Sequence, residues 1–133
     1  MCMAATNDHT VFLAKVRDGD VKSAISVAIR ALGGIMLQPD AKVVIKPNLC
    51  TFMGPETGAT TDIRVVEATI EFVNEIRPAC EIAVVESRSV SGSAPDKFRR
   101  LGYDELERKY KNVKLVDLDK ENAYAIYDGK YRE

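Results

Sequence analysis

Residues 42–62 read KVVIKPNLCTFMGPETGATTD, and this stretch decides the fold. Val43, Val44 and Ile45 are a short run of β-branched residues, the pattern of a buried strand. Lys46-Pro47-Asn48 interrupts it: proline has no N–H for a ladder and holds its predecessor in an extended geometry. A loop with spaced glycines follows, and a helix is expected to open at Thr60-Thr61-Asp62. In open α/β sheets ligands bind beyond the carboxyl ends of the strands, so the peptide after Ile45 is where a ligand is expected.

Working outward toward the N-terminus, Pro39-Asp40 leads into that strand, taken as the central one. Before it, Val21, Ala24, Ile25, Ala28, Ile29 and Leu32 repeat at helical spacing. Asp20 is placed to cap this helix, and Gly33-Gly34 to end it. Thr10–Val16 (TVFLAKV) reads as a first strand, and residues 1–9 as a flexible leader. In the other direction, Ile63, Val66, Ile70 and Val73 form the clearest amphipathic stripe, over Asp62–Arg77, stopped by Pro78. Cys80–Val85 is the next strand, ending at Glu86. Short helices are expected over Asp96–Leu101 and Asp104–Tyr110, with Asp104–Arg108 and Glu105–Lys109 as i,i+4 ion pairs in the second. Lys114–Val116 is a third core strand, and Tyr124–Arg132 reads as a hairpin around Asp128-Gly129.

Strands alternating with helices imply parallel pairing through right-handed crossovers. The expected fold is α/β: a three-layer αβα, Rossmann-like arrangement with a mostly parallel sheet and helices on both faces. Val43, Ile82 and Leu115 are expected in its interior. Residues 10–133 read as one domain. A doubly wound sheet ordinarily has about five or six strands, so the domain is expected to be the front part of a larger one.

The chain has 133 residues with 19 basic and 20 acidic side chains, a net charge of −1. Its pI of 5.9 is far from the basic balance of nucleic-acid binders. No apolar run approaches the length of a membrane span, and the N-terminus MCMAATNDHT has no signal-peptide pattern. A cytoplasmic protein is therefore expected. Cys2, Cys50 and Cys80 form no CxxC pair, which argues against a disulfide framework, a cysteine-held zinc site or an iron–sulfur cluster in this chain. Cys50 alone lies beside the expected site.

At that site Lys46 emerges from a strand tip and Asn48 follows. A lysine and an amide there suit a carboxylate or phosphate; the alternative is that Lys46 pairs with Glu86 or Asp117 on neighbouring strand ends. Thr60 and Thr61 open a helix whose free N–H groups favour anions, although Asp62 already complements the helix dipole and capping alone would explain Thr61. The stretch is neither a P-loop nor a dinucleotide fingerprint. Ser87 begins a second polar loop, SRSVSGSAPD, where hydroxyls and Arg88 stand at another strand end. Glu86 is the candidate general base or metal ligand, and with Asp117 and Asp119 it offers carboxylates that could hold Mg²⁺; the plainer reading, in which Asp117 ends its strand and Asp119 is solvated, expects no metal. The single histidine, His9, lies in the leader, so a Ser–His–Asp triad is not expected.

Taken together, Val44-Ile45-Lys46-Pro47-Asn48-Leu49, Gly58-Ala59-Thr60-Thr61, Val84-Val85-Glu86, Phe98 with Gly102-Tyr103, and Val116-Asp117-Leu118-Asp119 resemble the DUF362 family over about Thr10–Asp119. The "IKPNL" and "GATT" elements in that order carry most of the likeness. The resemblance implies an α/β protein of unsettled biochemistry, often associated with ferredoxin-like segments, and suggests part of a redox or ligase-type enzyme. This chain lacks the cluster cysteines and stops before the family's "PKLKTH"-like segment. A non-catalytic module is the alternative, docking on a partner half, an iron–sulfur protein or a second copy through an exposed sheet edge.

Overall fold

The structure, a computed structural model, describes residues 10–78 and 80–120. Helix α1 spans Val21–Ala31, strand β1 Lys42–Ile45 and helix α2 Ile63–Ile76. Strand β2 spans Glu81–Glu86, followed by the short helices α3 (Ala94–Arg100) and α4 (Asp104–Lys109) and by strand β3 (Val113–Asp117). The fold is α/β, Rossmann-like, around an open three-stranded sheet in the order β1-β2-β3. Both pairings are parallel, with Val43 beside Ile82, Val84 beside Leu115, and Glu86 beside Asp117.

The helices form where the apolar stripe and the caps agree. Asp20 accepts the Ser23 N–H at 2.9 Å to start α1, and Asp62 accepts the Arg64 N–H at 2.9 Å to start α2. Gly33 and Gly34 end α1 in left-handed conformations, at φ 97° and 75°. Val66, Ile70 and Val73 face the sheet. With Ile82, Val84, Phe98, Tyr103, Leu106 and Val113 they form one core. Burying each of the large aliphatic side chains stabilises the fold by about 1.5–3 kcal/mol.

A sheet whose strands follow one another in sequence, joined by right-handed crossovers, carries those crossovers on a single side. The core obeys this: Ile82 and Val84 share it with α2, α3 and α4. On the other face of β1, Val44 is 64% exposed.

Two expectations are corrected here. The middle strand is β2, and β1, taken as central, is an edge strand of the described sheet, as is β3. A short apolar run says that a strand is buried, not how many neighbours it has. Thr10–Val16 forms no strand in the structure, where it lies apart from the sheet. The ion pairs of α4 also differ. Arg108 pairs with Glu105 one turn back, and Lys109 reaches across to Glu67 and Glu71 of α2 at 2.7 and 3.6 Å. The hairpin over 124–132, Cys2 and His9 lie outside the described residues.

Candidate functional site

The carboxyl ends of the strands meet at Lys46, Glu86 and Asp117. Pro47, without an N–H, stands two residues after the last pair of β1, and the Lys46 side chain turns across the sheet edge. Its Nζ lies 3.2 and 3.4 Å from the two carboxylate oxygens of Glu86 and donates to the Pro47 carbonyl at 3.0 Å. The lysine side chain is 52% exposed, whereas that of Glu86 is 6% exposed. The buried carboxylate also accepts the Leu49 N–H at 3.1 Å and the Ser87 N–H at 2.8 Å. One acidic group thus fixes a strand tip and the starts of two loops, and it holds the ammonium of a half-exposed lysine.

The first loop closes on itself. Leu49 and Thr60 form an antiparallel bridge, the Thr61 N–H donates to the Asn48 carbonyl at 2.9 Å, and the Asn48 N–H donates to Thr61 Oγ1 at 2.9 Å. Asn48 Nδ2 donates to the Ala59 carbonyl at 3.0 Å, and the Thr60 hydroxyl to the Met53 carbonyl at 2.8 Å. Segments of this kind, with ends close together and packed by their own side chains, are Ω-type loops. Inside it a 3-10 turn at Pro55–Thr57 ends at Gly58, whose φ of 75° suits glycine.

The second loop is tied to the first. The Ser89 and Ser91 hydroxyls donate to the Cys50 carbonyl at 3.3 and 2.9 Å. The tight turn between Ser89 and Gly92 brings them there. Gly92, at φ 142°, passes under Phe52, whose ring would sit 3.0 Å from an added Cβ. Arg100 lies over the other part of this junction, 4.5 Å from the Phe52 ring centre, an arrangement in which the ring face attracts the cation.

The sequence-based candidates therefore divide. Lys46, Glu86 and Ser87 come together at one point, Lys46 through its side chain and Ser87 through its backbone. Asn48, Thr60 and Thr61 lie beside it, but their polar groups serve the loop itself. The helix mouth is already taken, because Asp62 caps α2 and also binds the Arg64 guanidinium, which holds its carboxyl below the ordinary range. Glu86, Asp117 and Asp119, the weaker candidates for a cation, are not gathered: among the described residues no three acidic, histidine or cysteine side chains converge as an ion would need. Asp119 instead accepts the Arg88 N–H at 2.7 Å, and Asp117 pairs with Lys120 at 3.8 Å. Paired charges of this kind on adjacent strand ends satisfy each other more cheaply than three carboxylates can share a site.

Two residues that fasten the site from behind escaped sequence reasoning. Lys97 is fully buried and donates from Nζ to the Ser87 carbonyl at 3.0 Å. The signal for it was present: Ala94, Lys97, Phe98 and Leu101 share one helical stripe, which places the lysine on the inward side. Tyr103 is also fully buried, and its hydroxyl donates to the Thr61 carbonyl at 3.0 Å. Burial pushes its ionisation well up, helped by the charges of Asp62 and Glu86.

The larger clefts lie elsewhere. One of about 640 Å³ runs along β3, between Phe98, Glu107, Leu115 and Lys120; two smaller ones flank α1. None of these three is lined by Lys46, Asn48, Thr60, Thr61, Glu86 or Ser87, although Asp117 at the tip of β3 lines the first. The strand tips thus present a rim with the half-exposed Lys46 side chain at its centre. No helix among the described residues is long and apolar enough to cross a membrane.

The model of a domain of unknown function, DUF362, matches residues 43–133. It begins inside β1, so α1 and Thr10–Val16, included in the resemblance read from the sequence, precede the matched region. No curated protein and no solved structure matches the chain. The match covers more than half of the residues, and the chain belongs to the DUF362 family, a domain of unknown function.

Proposed function

We propose that this domain binds an anionic small molecule, a carboxylate or a phosphate, at the carboxyl edge of its sheet. The observation that carries this reading is the Lys46 ammonium. The lysine side chain is half exposed, yet its ammonium is positioned by Glu86 and the Pro47 carbonyl, so little side-chain freedom remains to be lost on binding. Arg88, on the loop that borders it, is paired with Asp119 at 3.9 Å, and Arg100 at the end of α3 adds positive charge beside that loop. Arg100 rests on Phe52 and is paired with no carboxylate among the described residues. Asn48 and Ser87 sit on the same rim. Glu86, with its oxygens committed to Lys46, Leu49 and Ser87, acts here by positioning the lysine.

Thermal-shift measurements with inorganic phosphate, adenine nucleotides and di- and tricarboxylates test the proposal. A ligand at a hundred times its Kd stabilises the native state by about 2.7 kcal/mol. Wild type is expected to gain such a shift from at least one of these anions, and Lys46→Ala to lose it. Equal shifts in both proteins, or none in either, would sink the reading.

A second reading is favoured by the sheet itself: a docking module that joins a partner chain or a second copy through an unpaired edge. Both β1 and β3 have one unpaired side, and the β3 edge borders the largest of the described clefts. Glu107 guards part of that edge, its carboxylate accepting the Leu115 N–H at 2.7 Å, a common device against uncontrolled pairing. A chain that stays monomeric by light scattering at high concentration would remove the self-association form of this reading.

A further inference from the structure

Thr10–Val16, TVFLAKV, has the composition of a parallel strand buried on both faces, with only Thr10 and Lys15 polar. In the structure it lies outside the sheet, and Val11 and Leu13 are 87% and 95% exposed. The helix it leads into is better placed than the segment itself. Gly19–Lys22, at the start of α1, line one small cleft with Arg64, Glu67 and Glu71 from the first half of α2. Lys22 reaches Glu71 and Glu75 at 3.0 and 3.4 Å, and Arg30, near the other end of α1, reaches Glu75 at 3.8 Å and lies over the Phe72 ring. The two helices therefore lie side by side and run in the same direction.

That placement has a topological meaning. Helix α2 is the crossover from β1 to β2. A helix parallel to it, in the same layer and leading into β1, occupies the position of the preceding crossover. The strand that such a helix leaves belongs beside β1, on the side away from β2. That side of β1 is unpaired in the described sheet. We propose that Thr10–Val16 closes onto this edge as a fourth parallel strand, ahead of β1, with α1 already docked as its crossover.

The lengths agree. Four residues, Arg17–Asp20, separate the segment from α1, within the usual 2–6 for such turns. The ten residues Leu32–Ala41 return the chain to β1, a reach of about 33 Å when extended, about twice the length of α1. Closure covers the exposed Val44 face with apolar side chains of alternating direction. It also delivers Arg17 to the same end of the sheet as Lys46, so the strand is at once a structural clasp and a wall of the rim. The proposal does not depend on an anion being bound there.

Hydrogen exchange followed by mass spectrometry, on the whole chain at several concentrations, tests it. The alternate amides of Val11–Val16 that face β1 are expected to exchange at least about tenfold more slowly than in a free peptide, equally at every concentration and with the chain monomeric. Neighbouring N–H groups in a strand point to opposite sides. One of Phe12→Pro and Leu13→Pro must therefore remove a ladder bond in either register, and that variant is expected to lose the protection. Exchange of Val11–Val16 at the free-peptide rate in wild type would overturn the proposal. Protection that grows with concentration alongside a dimer would overturn it too, by assigning the segment to the edge of a second copy.

Discussion

Replacing Glu86 by alanine removes the acceptor on which Lys46, Leu49 and Ser87 converge. The cost can be built up contact by contact. Leu49 is fully buried, so its N–H is left without a partner or water, a loss of about 1–3 kcal/mol. Lys46 is half exposed and rehydrates, so its share is about 1 kcal/mol or less. The Ser87 N–H is less deeply placed and adds about 0.5–1 kcal/mol. The sum is about 1.5–5 kcal/mol, centred near 3. At roughly 3–5 °C per kcal/mol for a chain of this size, the melting temperature falls by about 10 °C. Glu86→Gln retains one oxygen for Leu49 but places an N–H₂ group against the other donors, and about half the loss is expected. Urea unfolding at neutral pH, with unchanged m-values, is the assay. A Glu86→Ala protein within about 0.5 kcal/mol of wild type would refute the claim that this carboxylate organises the sheet edge.

Other positions give independent checks. Gly92→Ala combines an unfavourable φ with a Cβ 3.0 Å from Phe52, itself pinned under Arg100, and is expected to lose about 1–3 kcal/mol by chemical denaturation. Tyr103→Phe leaves the Thr61 carbonyl without its donor at a cost of about 1 kcal/mol, with the core otherwise intact by near-ultraviolet circular dichroism. Glu71 is held below the usual carboxylate range by the Tyr110 hydroxyl and then by Lys22, and Asp62 by Arg64. Both native values lie below the unfolded ones, so their contribution is complete above about pH 5 and is lost as pH falls through the native values. Glu71→Gln should flatten that acid limb in a pH series of melting temperatures, and an unchanged limb would contradict the assignment.

Local chemistry was legible in the sequence, and pairing was not. Helices α1 and α2 could be read because each joins an apolar stripe to a side-chain cap, Asp20 or Asp62, within a few residues. Sheet order resists such reading. Val43-Val44-Ile45 and Ile82–Val85 are similar apolar runs, and only contacts some forty residues apart make β2 the middle strand. The candidate site shows the same limit. Lys46 and Glu86 were both identified, and their pairing was one of two alternatives that the strand ends permitted. The hydroxyls of Thr60 and Thr61 read as ligand donors because the sequence does not reveal that Thr60 already donates to the Met53 carbonyl and that Thr61 Oγ1 already accepts the Asn48 N–H. Lys97 was overlooked because a lysine is ordinarily solvated, although its neighbours on α3 marked the inward stripe.

The central claim is that the strand-tip rim around Lys46 receives an anion. Amide chemical-shift mapping of the labelled chain, titrated with inorganic phosphate and with a dicarboxylate at constant ionic strength, tests it most directly. Saturable shifts are expected to cluster on Lys46, Asn48, Leu49, Ser87 and Arg88, and to vanish in Lys46→Ala. Shifts confined to the β3 cleft, or linear and scattered over all exposed lysines and arginines, would contradict it.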